Sequence, residues 1–213
     1  SQSAYRVEKT VTGADMGLDR LSNPSDPLYI SDDAPAKLSD AKDLFYDQDN
    51  DTFWVCDSGN NRILRLDTDL KVTGCYTGFT GSTEISVGED GRSTFLNPNG
   101  IYVKKSIFDD KLYVYIADTD NSRAVKCTVE SGTEMTLVQE YTKPDTKLYD
   151  SETFNPSKIL ADKAENIYVV CKSVNTGSVQ FNKDGEFQGF YGANRVEVTA
   201  AVIAQKLWRK IAS

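Results

Sequence analysis

Two stretches of this chain repeat one order of functional groups: Asp57-Ser58-Gly59-Asn60-Asn61-Arg62 and Asp118-Thr119-Asp120-Asn121-Ser122-Arg123. Each opens on a carboxylate that can accept backbone N–H groups and closes on an arginine able to return and pair with it. Between them stand residues such as Gly59 and Asn61 that tolerate left-handed backbone. The chemistry this spacing supports is structural, a locked hairpin, with Asp57, Gly59, Asn60, Arg62, Asp118, Asn121 and Arg123 as its members. In a third stretch, Lys172-Ser173-Val174-Asn175-Thr176-Gly177-Ser178, the aspartate and the arginine are missing together. Joint loss is what a pair acting as one unit produces.

Other residue types that carry reactions are scarce. There is no histidine among the 213 residues, which removes the common zinc and haem ligand sets and the usual activation of serine or cysteine nucleophiles. Cys56, Cys75, Cys127 and Cys171 lack CxxC spacing and fall in apolar runs, so they read as small buried hydrophobes. Asp47-Gln48-Asp49-Asn50-Asp51 has carboxylates at alternate positions, but Thr52 and Ser58 stand where a calcium loop needs glycine and glutamate. That run predicts a solvated hairpin tip. Tyr102, Tyr113, Tyr115, Tyr141, Tyr149, Tyr168 and Tyr191 could form a sugar or peptide platform, yet most lie inside strand-like runs, which favours packing.

The elements that must position these groups recur with the motif. Segments starting at Asp40, Asn97 and Asn155, 57 and 58 residues apart, each carry four short apolar runs separated by polar turns, and internal repeats of this kind mark radial or solenoid architectures. The second run of each unit (Phe53–Cys56, Leu112–Ala117, Ile167–Cys171) is apolar on both faces. The third alternates, as in Val125, Cys127 and Val129 around Lys126 and Thr128. A strand apolar on both faces must be covered on both, and stacked four-stranded blades supply that cover. Asp184-Gly185 is the dipeptide that supplies the positive φ angles of a tight hairpin. The fold class is therefore all-β, with β-propeller blades of four antiparallel strands: three clear repeats and a partial one from Tyr5–Thr12 with Leu28–Ile30.

The strand, Asp, Gly/Asn-rich turn, Arg, strand order resembles the signature of the NHL-repeat β-propeller family, over about residues 38–192. The resemblance implies a scaffold that carries protein, RNA or carbohydrate ligands on one face, and similar sequences from bacterial cell-surface proteins have a helix interrupting the propeller with more blades after it. Relatives of the same shape include enzymes: a zinc-dependent amidating lyase, whose histidine ligands are absent here, and calcium-dependent lactonases, whose channel ligands match no residue of this sequence. Fold likeness alone does not assign a chemistry.

The domain reading is an N-terminal segment 1–37, blades at 38–76, 95–141 and 154–192, and a C-terminal amphipathic helix at 193–213, where Val196, Ala200, Ile203, Leu207 and Ile211 recur at helical spacing. Two long linkers, Thr77–Thr94 and Lys143–Thr153, stretch the period, and insertions at equivalent places fall on one rim, where a ligand is expected first. Lys+Arg is 24 against Asp+Glu 32, a net charge of -8, so nucleic acid is not an expected partner. No run approaches about 18 apolar residues, so direct membrane insertion by this chain is not expected either. The functional expectation is a non-catalytic extracellular or bacterial cell-surface binding and scaffolding module with a protein or carbohydrate ligand and no cofactor. The alternative is a gluconolactonase-like hydrolase using a channel-bound divalent metal, calcium being the one candidate. At this period the chain is too short for a six-bladed ring, so the open blade edges are expected to be capped by the terminal helix, by a compact four-blade closure, or by self-association with a second copy.

Overall fold

The computed structural model describes residues 10–81, 93–172, 174 and 177–191. Among these described residues twelve strands form three four-stranded antiparallel sheets, each in simple meander order. The first blade is β1 (Asp43–Asp47), β2 (Thr52–Asp57), β3 (Arg62–Leu66) and β4 (Val72–Tyr76). The second is β5 (Gly100–Lys105), β6 (Leu112–Asp118), β7 (Arg123–Val129) and β8 (Met135–Tyr141). The third is β9 (Pro156–Ala161), β10 (Ile167–Cys171), β11 (Ser178–Phe181) and β12 (Phe187–Tyr191). The all-β blade architecture expected from the repeats is thus formed three times. The C-terminal helix expected at 193–213 lies outside the described residues.

Blade stacks on blade through the inner strands: β5 lies against β1 and β2, and β9 against β5 and β6. Between the first two blades Trp54, Cys56, Ile63 and Tyr76 meet Ile101, Val103, Val114 and Ile116. Between the second and third, Tyr102, Tyr115 and Tyr141 meet Ile159, Ala161, Ile167 and Val169. β6 is sandwiched by both neighbouring blades, so it must be apolar on both faces, and it is buried throughout after Leu112. The tyrosines follow the packing reading, since Tyr102, Tyr113, Tyr115, Tyr141, Tyr149 and Tyr168 are buried and Tyr191 is half-buried. All four cysteines are buried free thiols.

Two expectations are corrected. Leu28–Ile30 forms no strand, and neither does 10–12; Tyr5–Lys9 lie outside the described residues. Instead a short helix, α1 (Gly13–Met16), is held by a Thr12/Asp15 capping box and runs through left-handed Gly17 into a 3-10 turn at Leu18–Ser22. Met16, Leu18, Leu21 and Leu28 then cover Leu64, Leu66, Val72 and Cys75 on the first blade. The apolar spacing that suggested a strand belongs to irregular chain whose backbone is satisfied locally, as where Ile30 N–H donates to Leu21 O at 2.8 Å.

Lys126, on the polar side of the alternation in β7, is buried as well. It is buried under the third blade, its ammonium 4.1 Å from the Tyr113 ring centroid and 3.8 Å from Glu165 Oε2. Burial holds it below the usual lysine range. The second correction is that only Gly185 of the Asp184-Gly185 pair has positive φ (81°). The turn is closed by Gly185 N–H to Asn182 O and Asn182 N–H to Glu186 O, and Asn182 Oδ1 accepts from Asp184 and Glu186 N–H. The same device opens on Asp67 and on Asp162, with Leu70 and Glu165 in the left-handed position. An Asx side chain that satisfies two turn amides can sustain a non-glycine residue there.

Candidate functional site

The two hairpin motifs fold as near-identical clamps between the second and third strands of blades one and two. Arg62 Nε donates to Asp57 Oδ2 at 2.7 Å, and Arg123 Nε to Asp118 Oδ2 at 2.8 Å. Both pairs are sealed from water, with side-chain exposures of 2% for each arginine and 0% for each aspartate. The remaining acceptor capacity grips the segment entering the blade: Ser39 N–H donates to Asp57 Oδ1 at 2.7 Å, and Leu96 N–H to Asp118 Oδ1 at 2.8 Å. Asn60 Nδ2 reaches Asp57 Oδ2 and Lys37 O, and Asn121 Nδ2 reaches Asp118 Oδ2 and Thr94 O. Arg62 also donates to Pro35 O, and the Arg123 guanidinium lies 4.8 Å over the Phe79 ring. Burial pushes the Asp118 carboxyl up, while the Leu96 N–H, Asn121 and Arg123 pull it down.

The pairing within each motif is the one its spacing suggested, but its reach is wider. The clamp ties strand 2, strand 3 and the incoming linker into one unit, and the linker's contribution is backbone, which leaves no residue-type signal. A second contact was also illegible: the Ser58 hydroxyl donates to Pro98 O of the next blade, and Thr119 Oγ1 to Pro156 O at 2.6 Å. A hydroxyl after the aspartate at both places was the available signal.

The role of Gly59 differs from expectation. Its φ is not positive; the left-handed residues are Asn61 and, in blade two, Ser122. What Gly59 supplies is room, since a Cβ there would meet Ser39 O at 2.6 Å and Ser39 Oγ at 2.4 Å, while its N–H donates to Ser39 O at 2.8 Å. Gly59→Ala should therefore lower stability by about 1–3 kcal/mol, the usual cost of overpacking. Chemical denaturation of the variant checks it, and an unchanged midpoint would show that Ser39 yields freely.

The clamps and the entering segments share one side of the array, where the inner strands begin. There Lys158 Nζ lies 3.1 Å from Asp43 Oδ1 and 3.3 Å from both Lys42 O and Asn99 O. Ile101 N–H donates to Asp43 Oδ2 at 2.9 Å. With its amide turned to satisfy its neighbours, Asn99 donates to Asn97 O and accepts from Lys172 Nζ at 2.7 Å. Asn97, left-handed at φ 48°, donates its N–H to Asn61 Oδ1 and its Nδ2 to Asp120 Oδ2. Side chains of all three blades thus converge on a mixed-charge mouth at the start of β1, β5 and β9. Beside it, the first long linker lays Thr80 along the edge of β8, with Thr80 N–H to Met135 O and Leu137 N–H to Thr80 O, both 2.9 Å. Residues 82–92 of that linker lie outside the described residues.

The hairpin tip at Asp47–Asp51 spends its acceptors internally: Asn50 Nδ2 donates to Asp47 Oδ2 at 2.8 Å, and Tyr46 Oη to Asp51 Oδ1. Among the described residues, no group of three or more His, Cys, Asp or Glu side chains is placed to hold a metal ion.

No family model matches the sequence, and no curated protein does. Solved structures of similar shape include a streptogramin B lyase (15% identity, TM-score 0.47, covering 79% of this chain and 45% of that one). The hydrazine synthase of Kuenenia stuttgartiensis is another (13%, 0.46, 78% and 40%). A putative gluconolactonase is a third (15%, 0.43, 74% and 50%). The chain spans only 40–50% of these structures' lengths. Likeness at this level says nothing of chemistry here. The blade assignment rests on the chain's own three sheets and the way they stack.

Proposed function

We propose that this chain is a non-catalytic binding or scaffolding module built from blades of the NHL type, working outside the cell or at a bacterial cell surface. Its ligand is a protein segment or a carbohydrate, docked at the mouth where the inner strands begin. One observation carries the reading: the motif carboxylates and guanidinium groups are buried and bonded to each other and to backbone, so they hold the scaffold and are not available to a substrate. What faces solvent on that side is a set of hydrogen-bonding groups, Lys158, Asp43, Asn97 and Lys172, mounted on rigid strands and turns, which suits recognition. The net charge of -8 disfavours nucleic acid as the ligand. No cofactor enters the reading.

Screening the purified chain by interferometry against immobilised cell-wall polysaccharide and a tethered peptide library tests it. A specific ligand should lose about tenfold or more in affinity with Lys158→Glu, which reverses the central charge of the mouth. Binding that ignores this substitution would place the ligand elsewhere. Calorimetric titration with calcium tests the hydrolase alternative directly: tight one-site binding would overturn the non-catalytic reading.

A further inference from the structure

Blade three departs from the hairpin motif at its first residue. Sheet register sets Cys171 opposite the first residue of its inner strand, as it sets Cys56 in blade one and Ala117 in blade two. Lys172 therefore stands where the other blades carry Asp57 and Asp118. The exchange changes what the side chain reaches. Both aspartates are fully buried and bonded to their own blade's arginine and incoming segment. Lys172 is exposed, and its ammonium meets the Asn99 side chain of blade two at 2.7 Å. Loss of the lock in blade three thus delivers a cation to the mouth.

That cation is the charge left over when the hydrogen bonds of the mouth are followed from group to group. Lys158 Nζ spends its N–H groups on Asp43 Oδ1, Lys42 O and Asn99 O. Asp43 also accepts from Leu44 N–H at 3.0 Å and from Ile101 N–H, so its charge is matched and its oxygens are engaged. Asn99, 5% exposed, donates its turned amide to Asn97 Oδ1 and O and accepts from Lys172. An ammonium carries three N–H donors, so Lys172 retains two of them. Among the described residues no carboxylate lies within 4.0 Å of it.

We propose that Lys172 is the contact for an anionic group of the ligand, the carboxylate of a uronic acid unit in a polysaccharide, with Asn99, Lys158 and Asp43 as the residues that position it. The inference rests on the reading of the mouth as a binding site and names the class of ligand that site takes. A carboxylate supplies the charge and the acceptors that the free N–H groups lack, and a hydrogen bond between two ions is about twice as strong as a neutral one. The groups beside the ammonium, Asn97, Asn61 and Asp120, are polar and can bond sugar hydroxyls. Peptide recognition draws instead on aromatic or apolar anchors, which these residues do not supply.

Calorimetric titration of the purified chain with oligogalacturonate, beside the matching neutral galactose oligomer, tests the proposal. Only the galacturonate is expected to bind, more weakly as salt is raised. Lys172→Gln should cost about tenfold or more in affinity, with an unchanged denaturation midpoint because the side chain is exposed, and Lys172→Arg should keep most of the binding. Asp120→Asn, which removes a neighbouring negative charge, should leave the affinity as it is or improve it. Equal binding of the two oligomers, or weaker binding after Asp120→Asn, overturns the proposal. A sulfated galactan that binds more tightly than the galacturonate overturns the carboxylate assignment. A neutral sugar or a peptide whose affinity ignores Lys172→Gln overturns it too, while leaving the binding-module reading in place. A chain that binds none of these oligomers and no peptide of the library overturns both.

Discussion

Replacing Arg123 with alanine is expected to cost about 3–5 kcal/mol of folding stability, the effect of leaving one member of a buried ion pair uncompensated. The pair is sealed from water, so Asp118 would retain a charge with no solvent to stabilise it. Since a whole domain is held by roughly 5–15 kcal/mol, the loss is a large share. Arg62→Ala should behave alike, because its geometry repeats. Removing both partners, as in Asp118→Asn with Arg123→Met, should not restore stability, as it can when an ion pair stands alone: Asp118 also accepts from Leu96 N–H and Asn121, and those donors would lose their charged acceptor. The deficit of Arg123→Ala has a sign with pH. Asp118 is already pushed up by burial, and losing the guanidinium raises it further, so the penalty is full at neutral pH and shrinks as acid neutralises the carboxyl. Urea titrations of wild type and variant at pH 7 and in the carboxylate range check both statements. A deficit under about 1 kcal/mol, the level of a solvent-exposed pair, would show that water reaches the clamp.

Alkali should unfold this protein through its thiols. Burial pushes Cys75 up to about 11 and Cys171 up to about 12, and holds Cys56 and Cys127 well above the usual thiol range. A thiol whose value is raised in the folded chain ionises first in the unfolded one. Its stabilising contribution is whole below the unfolded value near 8.5 and falls as pH rises above it, by about 1.4 kcal/mol per pH unit per thiol until the folded value is reached. With four such groups the slope is several times that of one. Denaturant midpoints should be flat up to about pH 8 and drop steeply between about pH 9 and 10, before most lysines titrate. Cys75→Ala should flatten the slope by one thiol's share, and none of the four should react with a thiol reagent until the chain unfolds. A midpoint that holds from pH 8 to pH 10 would sink this account.

Repeats and strand boundaries were legible because burial on both faces writes itself into composition: Phe53–Cys56 and Leu112–Ala117 are apolar runs where a half-exposed strand would alternate. The Asp–Arg lock was legible because a buried carboxylate must find a cation, and the partner stands five residues away in both copies. The Ser39 and Leu96 amides that complete each clamp were not, since every residue type carries the same N–H. The burial of Lys126 was not legible for a related reason. Its side chain is polar, and only the third blade's position turns an apparently solvent-facing residue into one held over Tyr113. Gly59 was credited with a backbone angle when what matters is its closeness to Ser39, a residue 20 positions earlier in sequence whose approach no local pattern records.

The locked hairpins, then, belong to the sequence by itself, along with the three-blade count and the burial of the cysteines and tyrosines, because each depends on periodicity or on side chains near in sequence. The tertiary structure alone decided which backbone groups the clamps hold, that the N-terminal segment covers the outer half of the first blade as a capped helical turn, and that Lys158, Asp43, Asn99 and Lys172 meet at one mouth. Those are contacts between residues far apart in the chain, created by the stacking of blades, and stacking is set by the summed shape of whole faces that no short stretch of sequence contains.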